Sequence, residues 1–309
     1  MQHADPADCD RVRRFIFEKR PVRGHWVRLE SAWRELRAHA HYPAPVTELL
    51  GEAVVASVLL AATLKFRGTL TFQLQGDGAL GLLVAQCTHD FRLRAVARYD
   101  EAAVRALTGE ARGGALFRRL VGADGRITVT VEAEEASLRY QGVVPLSGRS
   151  LSESLEAYFA SSEQLPTRVL LAAHDGVGAG MLVQRLPAEA SAEAGETNEA
   201  WTLAQLGIAR VTSKRLLEGG VEELLERTFP GQDLRLFRGT PVRFECRCSQ
   251  GRVAALLRAL GPEEVRDVLR EQGAVTVTCE FCHRPYRFDP IDVEVLFSEA
   301  PPDGSPAIH

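Results

Sequence analysis

The chain has 309 residues, of which 45% are hydrophobic and 25% charged, and its formal net charge is −4. This balance supports a folded core and excludes wholesale disorder, and the length fits two domains better than one. There is no basic excess to suggest a nucleic-acid scaffold, and the 34 Arg against 3 Lys read as genomic base composition.

No apolar stretch suited to a signal peptide opens the sequence. The longest apolar run, residues 53–64, includes Ser57 and Thr63 and falls short of the ~20 residues that cross a bilayer. The expectation is a cytoplasmic protein with no membrane partner. Its thiols would be reduced, so clustered cysteines should act as metal ligands or redox groups.

In chain order, residues 11–18 and 24–29 read as strands and 31–40 as a short helix. Pro45 opens a longer apolar helix through residue 64, with Glu48 and Glu52 early in it. Strands are predicted at 69–75, 80–87 and 91–99, turned by Gly76-Asp77-Gly78 and His89-Asp90. Gly76 to Gly81 matches G-x-G-x-x-G, but it leads into a strand rather than a helix, so a hairpin turn is expected and not a dinucleotide loop. Residues 127–133 and 137–142 suggest another hairpin. Ser152 is expected to cap a helix through residue 159, with Ser154 in its first turn, and 169–173 and 180–186 are two further strands. Residues 1–187 are therefore predicted to form an α+β domain of antiparallel sheets packed with helices.

Composition changes at Pro187. The stretch 187–200 is small and acidic and reads as a mobile linker. Beyond it, Val221, Leu224, Leu225 and Thr228 fall on one helical face, and Gly219-Gly220 interrupts the helical pattern at ~1 kcal/mol per Gly relative to Ala. Residues 188–240 are expected to be a helical linker that is marginal alone; the plainer alternative is an ordinary packed connector. In the last unit, 241–297, Val253, Leu256, Leu257 and Leu260 predict a helical stripe. Gly261 ends that helix, Pro262 with Glu263 and Glu264 starts the next, Gly273 ends it, and 274–278 is a strand. The tail 298–309 is expected to be disordered.

Four of the six cysteines, Cys246, Cys248, Cys279 and Cys282, form a C-x-C pair and a C-x-x-C pair thirty residues apart. Two close pairs on two turns suit one tetrahedral Zn²⁺ with four thiolate ligands. Structural zinc is worth ~10–16 kcal/mol in small peptides, so its removal is expected to unfold residues 241–296. An inert zinc knuckle is one reading. The other is a redox site, because Cys246 and Cys248 are near enough in sequence to join and Cys279 with Cys282 can close a C-x-x-C ring. Cys9, in the N-terminal stretch, and Cys87, in a predicted strand, have no close sequence partner and are weak redox candidates. His283 abuts Cys282, but four cysteines already fill a tetrahedral site, so it is expected to be solvated, as are His39 and His41.

These motifs carry a resemblance. Phe244-Glu245-Cys246-Arg247-Cys248-Ser249, Cys279-Glu280-Phe281-Cys282 and Tyr286-Arg287-Phe288-Asp289 are similar to the zinc motifs of the heat-shock protein 33 family of redox-regulated holdase chaperones. Upstream, Tyr158-Phe159 with Ser162-Glu163-Gln164-Leu165-Pro166-Thr167, then Gln184-Arg185-Leu186-Pro187 and Leu74-Gln75-Gly76-Asp77-Gly78, also resemble it. The resemblance implies a non-enzymatic, ATP-independent chaperone that is inactive while Cys246, Cys248, Cys279 and Cys282 hold Zn²⁺. It implies Cys246–Cys248 and Cys279–Cys282 disulfides on oxidation, with zinc release, unfolding of the C-terminal region and binding of unfolding or oxidatively damaged client proteins. It further implies a homodimer when oxidised and hand-over of clients to ATP-dependent foldases.

Two other functions compete. A zinc ribbon that binds nucleic acid or partner proteins is disfavoured by charge, since residues 241–296 hold eight Arg against nine Asp or Glu. A thiol–disulfide oxidoreductase is disfavoured because the C-x-x-C does not begin a helix in a thioredoxin-like unit.

Overall fold

The computed structural model describes residues 8–107, 113–133, 139–163, 165–187 and 194–298. The chain divides into two compact units, Met1–Glu245 and Cys246–His309. The first unit holds, in order, β1 (Arg11–Phe17), β2 (Val22–Leu29), α1 (Ser31–Arg37), α2 (Ala44–Thr63), β3 (Gly68–Gln75), β4 (Leu80–Thr88) and β5 (Arg92–Tyr99). It continues with α3 (Glu101–Leu107), α4 (Gly113–Val121), β6 (Arg126–Ala133), β7 (Arg139–Pro145), α5 (Leu151–Tyr158), β8 (Thr167–Ala173) and β9 (Gly178–Arg185). Then come α6 (Ala194–Ile208), α7 (Ser213–Glu218), α8 (Val221–Thr228), β10 (Leu234–Leu236), β11 (Thr240–Pro241) and β12 (Arg243–Phe244).

Two six-stranded sheets result, one in the order β10-β1-β2-β9-β8 with β11 also on β1, the other β12-β5-β4-β3-β6-β7. The expected α+β class is what forms. The pairings are antiparallel apart from β12 on β5, where Arg243 and Phe244 align with Arg92 and Leu93. Those short pairings place residues 240–244 in the first unit, so the division falls after Glu245 rather than after residue 240. Within Gly76 to Gly81, residues 76–79 form the turn between β3 and β4 and Leu80 opens β4, as the sequence context indicates.

Helix α2 lies between the sheets and joins both to one apolar core. Its length and mean hydropathy of 1.6 would allow it to cross a membrane, but 78% of that apolar window is buried inside the unit. A helix whose apolar residues are buried on nearly every side is a core helix. The helix expected to be capped by Ser152 is capped two residues earlier, by Ser150. Ser150, in extended conformation, accepts a hydrogen bond from Glu153 N at 3.2 Å, and Glu153 reaches back to accept from Arg149 N at 2.7 Å. This reciprocal arrangement outcompetes Ser152 because both ends of the first turn are satisfied.

The other face of the first sheet has its own cluster. Phe15, Trp26 and Met181 pack there against Trp201, Ile208, Leu224, Leu225 and Phe229 of the segment that follows. Part of the expected mobile linker is therefore helical, because α6 starts at Ala194; residues 188–193 lie outside the described residues. Ala and Glu are strong helix formers, and Trp201, Ala204 and Ile208 supply a face to bury. Gly219 and Gly220 separate α7 from α8, where the sequence places a break. Polar latches add to the packing. Arg13 pairs with buried Asp8 at 2.8 Å and with Glu222 of α8 at 2.9 Å, and buried Arg28 donates to the Leu217 carbonyl. At Gly207 an added Cβ would stand 2.2 Å from the Thr228 carbonyl oxygen, so α6 meets the end of α8 backbone to backbone.

The second unit holds α9 (Gln250–Leu260), α10 (Pro262–Gln272), β13 (Val275–Thr278), β14 (Pro285–Phe288) and α11 (Pro290–Ser298). Ser249 caps α9, accepting from Arg252 N at 3.3 Å, and Gly273 ends α10 in the left-handed conformation at φ 74°. β13 and β14 form an antiparallel hairpin. Its core is small: Val253, Leu257, Val265, Val275, Phe288, Val293 and Leu296. Of the predicted stripe only Val253 and Leu257 are buried, whereas Leu256 and Leu260 are 54% and 52% exposed. The core reaches only one narrow side of α9.

Gly207→Ala is expected to push α6 from α8 at a cost of about 1–3 kcal/mol. Urea unfolding should show a lower midpoint, and limited proteolysis should cut first within residues 194–233.

Candidate metal centre

The second unit brings the two cysteine pairs together. Glu245, the last residue of the first unit, is held by a backbone hydrogen bond to Leu93 O at 3.0 Å and an ion pair with Arg92 at 2.7 Å. The Arg92 guanidinium keeps its carboxyl below the usual carboxylate range. Cys246 and Cys248 follow in a stretch without regular secondary structure, and the Ser249 cap sets Cys248 directly before α9. Cys279 and Cys282 sit on the turn between β13 and β14. Cys279 N donates to Arg284 O at 3.0 Å, and His283 N donates to Cys279 O at 2.8 Å. His283 closes this knuckle at φ 51°, a left-handed conformation in which His is among the better-tolerated side chains.

The four Sγ atoms lie within 4.8 Å of one another. Cys246 and Cys279 approach to 3.6 Å, and Cys248 and Cys282 to 3.3 Å. A Zn–S bond of ~2.3 Å implies tetrahedral sulfur–sulfur edges of about 3.8 Å, so the cluster has the dimensions of a Cys₄ site. The donor set fits as well, since soft thiolates in a closed tetrahedron are what structural zinc takes.

The sulfurs differ in character. Burial pushes the Cys246 and Cys282 thiols up. At Cys248 partial burial opposes ionisation, but hydrogen bonds from the Tyr286 hydroxyl, Cys282, Cys246 and Cys279 prevail and bring the thiol down to about 7. The Tyr286 O–H donates to Cys248 Sγ at 3.0 Å, and this bond to the thiolate raises the tyrosine's own pKa. Arg284 adds positive charge near Tyr286, Cys248 and Cys282, and those neighbours raise its pKa. Tyr286 and Arg284 were absent from the predicted site. The strand alternation that buries Phe288 also turns Tyr286 inward, and that was the signal available.

The remaining candidates are placed elsewhere. Cys87 is buried in β4 and its thiol is pushed up, first by burial and then by Asp90. Cys9 is half-buried beside Glu30, and burial followed by that carboxylate pushes its thiol up to about 11. Both thiols are therefore poor nucleophiles at neutral pH. His283, His39 and His41 are exposed, and His283 is not part of the metal-ligating group found among the described residues.

A family model described as Hsp33 protein matches residues 10–289, which include all four clustered cysteines. The chain belongs to the Hsp33 family. Among its relatives, a protein named 33 kDa chaperonin from Nitrosococcus oceani is 41% identical over 290 residues, covering 94% of this chain and 95% of that protein. A protein of the same name from Chromobacterium violaceum is 41% identical over 289 residues, covering 93% of this chain and 94% of its own. The fold is similar to the crystal structure of a 33 kDa chaperonin, a heat shock protein 33 homolog, from Thermotoga maritima. The TM-score is 0.78 at 23% identity, over 94% of this chain and 98% of that one. In this Hsp33-family chain the family match spans most of both units and all four clustered cysteines, and α11 lies beyond its end.

Tyr286→Phe removes the O–H donor to Cys248 Sγ and is expected to lower the affinity of the cysteine cluster for Zn²⁺ by about 10-fold or more. Competition with a chromogenic chelator in the reduced protein measures the change.

Proposed function

We propose that this protein is an ATP-independent holdase chaperone switched on by oxidation of Cys246, Cys248, Cys279 and Cys282. The observation that carries the reading is the cluster of four thiols within 4.8 Å inside a unit with a thin apolar core, in a chain whose family relatives are named 33 kDa chaperonin. Its work is binding rather than catalysis, and it acts in the cytoplasm without a nucleic-acid partner.

In the reduced state the four cysteines hold one Zn²⁺ per chain as thiolates. The bound ion supplies folding energy and neutralises half of the sulfur charge. Cys248, with its lowered pKa, and its neighbours present sulfur in the form that peroxides attack. Formation of one disulfide takes two thiolates, one hydrogen peroxide and two protons, and gives one S–S bond and two waters. Cys246 joins Cys248 and Cys279 joins Cys282, so two peroxides are consumed. The oxidised sulfurs are no longer anionic ligands, and the small core around Val253 and Phe288 is left to hold the unit alone. Domains with so little buried apolar surface rely on such a staple.

The unit then unfolds, and the loss extends to the short pairings that precede it. β12 and β11 pair through two residues each and β10 through three. Release of these and of α6–α8 uncovers Phe15, Trp26, Met181 and their neighbours on the first sheet, an apolar face suited to unfolding clients. The oxidised chain pairs with a second copy. Reduction restores the thiolates, and clients pass to ATP-dependent foldases.

Peroxide treatment at mild heat tests this reading, with zinc release, far-UV circular dichroism and aggregation of a thermally denatured client followed together. Release of one zinc per chain, loss of helix and new suppression of aggregation are expected; a chelator alone should also cost the helices of residues 246–298. Zinc release with structure retained and no protection of the client overturns the chaperone switch in favour of a purely structural metal module.

A further inference from the structure

A pocket of about 380 Å³ opens in the first unit where α2 ends between the two sheets. That is the size of a small-molecule site. Leu60, Leu64, Phe66, Val129, Val131 and Phe159 give it apolar walls, and Arg23 and Lys65 are its charged residues. No acidic side chain among the described residues lines it.

Arg23 is built into this position. Its Nε and Nη2 donate to Gln184 Oε1 at 3.2 and 3.0 Å, and Gln184 is only 1% exposed. Gln184 in turn donates to Thr167 Oγ1 at 3.2 Å, and that hydroxyl donates to Leu165 O at 2.8 Å. The relay fixes one edge of the guanidinium and leaves Nη1 with no partner among the described residues. Among the described residues no carboxylate pairs with it; burial and the like charge of Arg14 both lower its pKa. His25, 4% exposed with Nδ1 unpartnered, is affected by the same two arginines, and burial followed by their charge pushes its pKa down to about 4. A half-buried cation without a counter-ion costs free energy that a bound anion would recover. Tyr158, Phe159 and Leu165, from one stretch that carries the family resemblance, and Gln184, from another, line this pocket, and the cysteine centre uses none of them.

We propose that this pocket binds a monocarboxylate with an apolar body, a medium-chain fatty acid. Its carboxylate lies on Arg23 with Lys65 beside it, and its chain runs along Leu60, Phe66, Val129 and Val131. Arginine suits this role because its planar fork donates paired hydrogen bonds to a carboxylate.

Calorimetric titration of the reduced full-length protein with decanoate, below its micelle concentration, tests the proposal. Saturable binding of one decanoate per chain is expected, with decanol and decyltrimethylammonium at least about tenfold weaker. Arg23→Gln should weaken decanoate at least about tenfold. Lys65→Glu, at an exposed position, and Leu64→Trp, which fills the pocket rim, should also weaken it while leaving the circular dichroism spectrum unchanged. Absence of saturable binding, equal affinity for decanol, or decanoate affinity unchanged in Lys65→Glu and Leu64→Trp overturns the proposal, including where Arg23→Gln fails to fold.

Discussion

Four sulfurs held within 4.8 Å set the terms for the second unit. Two unit charges about 4 Å apart repel by ~1 kcal/mol in water and by about 4 kcal/mol at the effective dielectric near a protein surface. Four thiolates cannot share that space unless positive charge is supplied. Without it the cluster resists ionisation at Cys246 and Cys282, where burial pushes the thiols up, and tolerates it best at Cys248, where Tyr286 donates. Among the described residues the fully buried apolar core of that unit is only seven side chains. The geometry of the cysteines and the smallness of the core are thus two sides of one constraint: what holds the sulfurs together also holds α9, α10 and α11.

The first unit has the opposite economy. Its two apolar clusters lie on opposite faces of the sheet that contains β1, β2, β8 and β9. One encloses α2 and reaches into the second sheet. The other is covered by α6, α7 and α8 together with Phe229. Because β1 and β2 alternate, Phe15 and Trp26 serve the outer cluster while Val12 and Val27 serve the inner one. The covering helices can therefore detach without opening the core around α2. Their latches are few and partly exposed: Arg13 with Asp8 and Glu222, and Arg28 with the Leu217 carbonyl.

Much of this was legible in the residues. The cysteine spacing announced a Cys₄ cluster, and Pro262 and Gly273 bounded α10 as local backbone chemistry requires. What the sequence hid depends on tertiary contacts. Ser150 and Ser152 are equally good caps in isolation, and Glu153 chose between them. Alanine and glutamate after Pro187 suit a linker or a helix, and the face around Trp201 turned residues from Ala194 onward into helix. Leu256 and Leu260 obey helical periodicity, yet the unit has too little core to cover them. Helix α11 is the exception, since its start was a local signal that went unread: Asp289 and Asp292 form a reciprocal pair in which each side chain accepts from the other's backbone N–H. Tyr286 became part of the site only when the hairpin folded it toward Cys248.

The burial of α2 has a consequence for how the chain is made. The helix is complete at Thr63, but β2 cannot pair with β9, nor α2 be covered by β8 and β9, until Arg185 has emerged. About 120 residues separate these events, roughly 6–24 s of synthesis at common ribosomal rates. Through that interval the nascent chain displays twenty consecutive residues with the hydropathy of a membrane span. Until its own sheets close, a protein proposed to shelter unfolded chains is itself one that needs shelter.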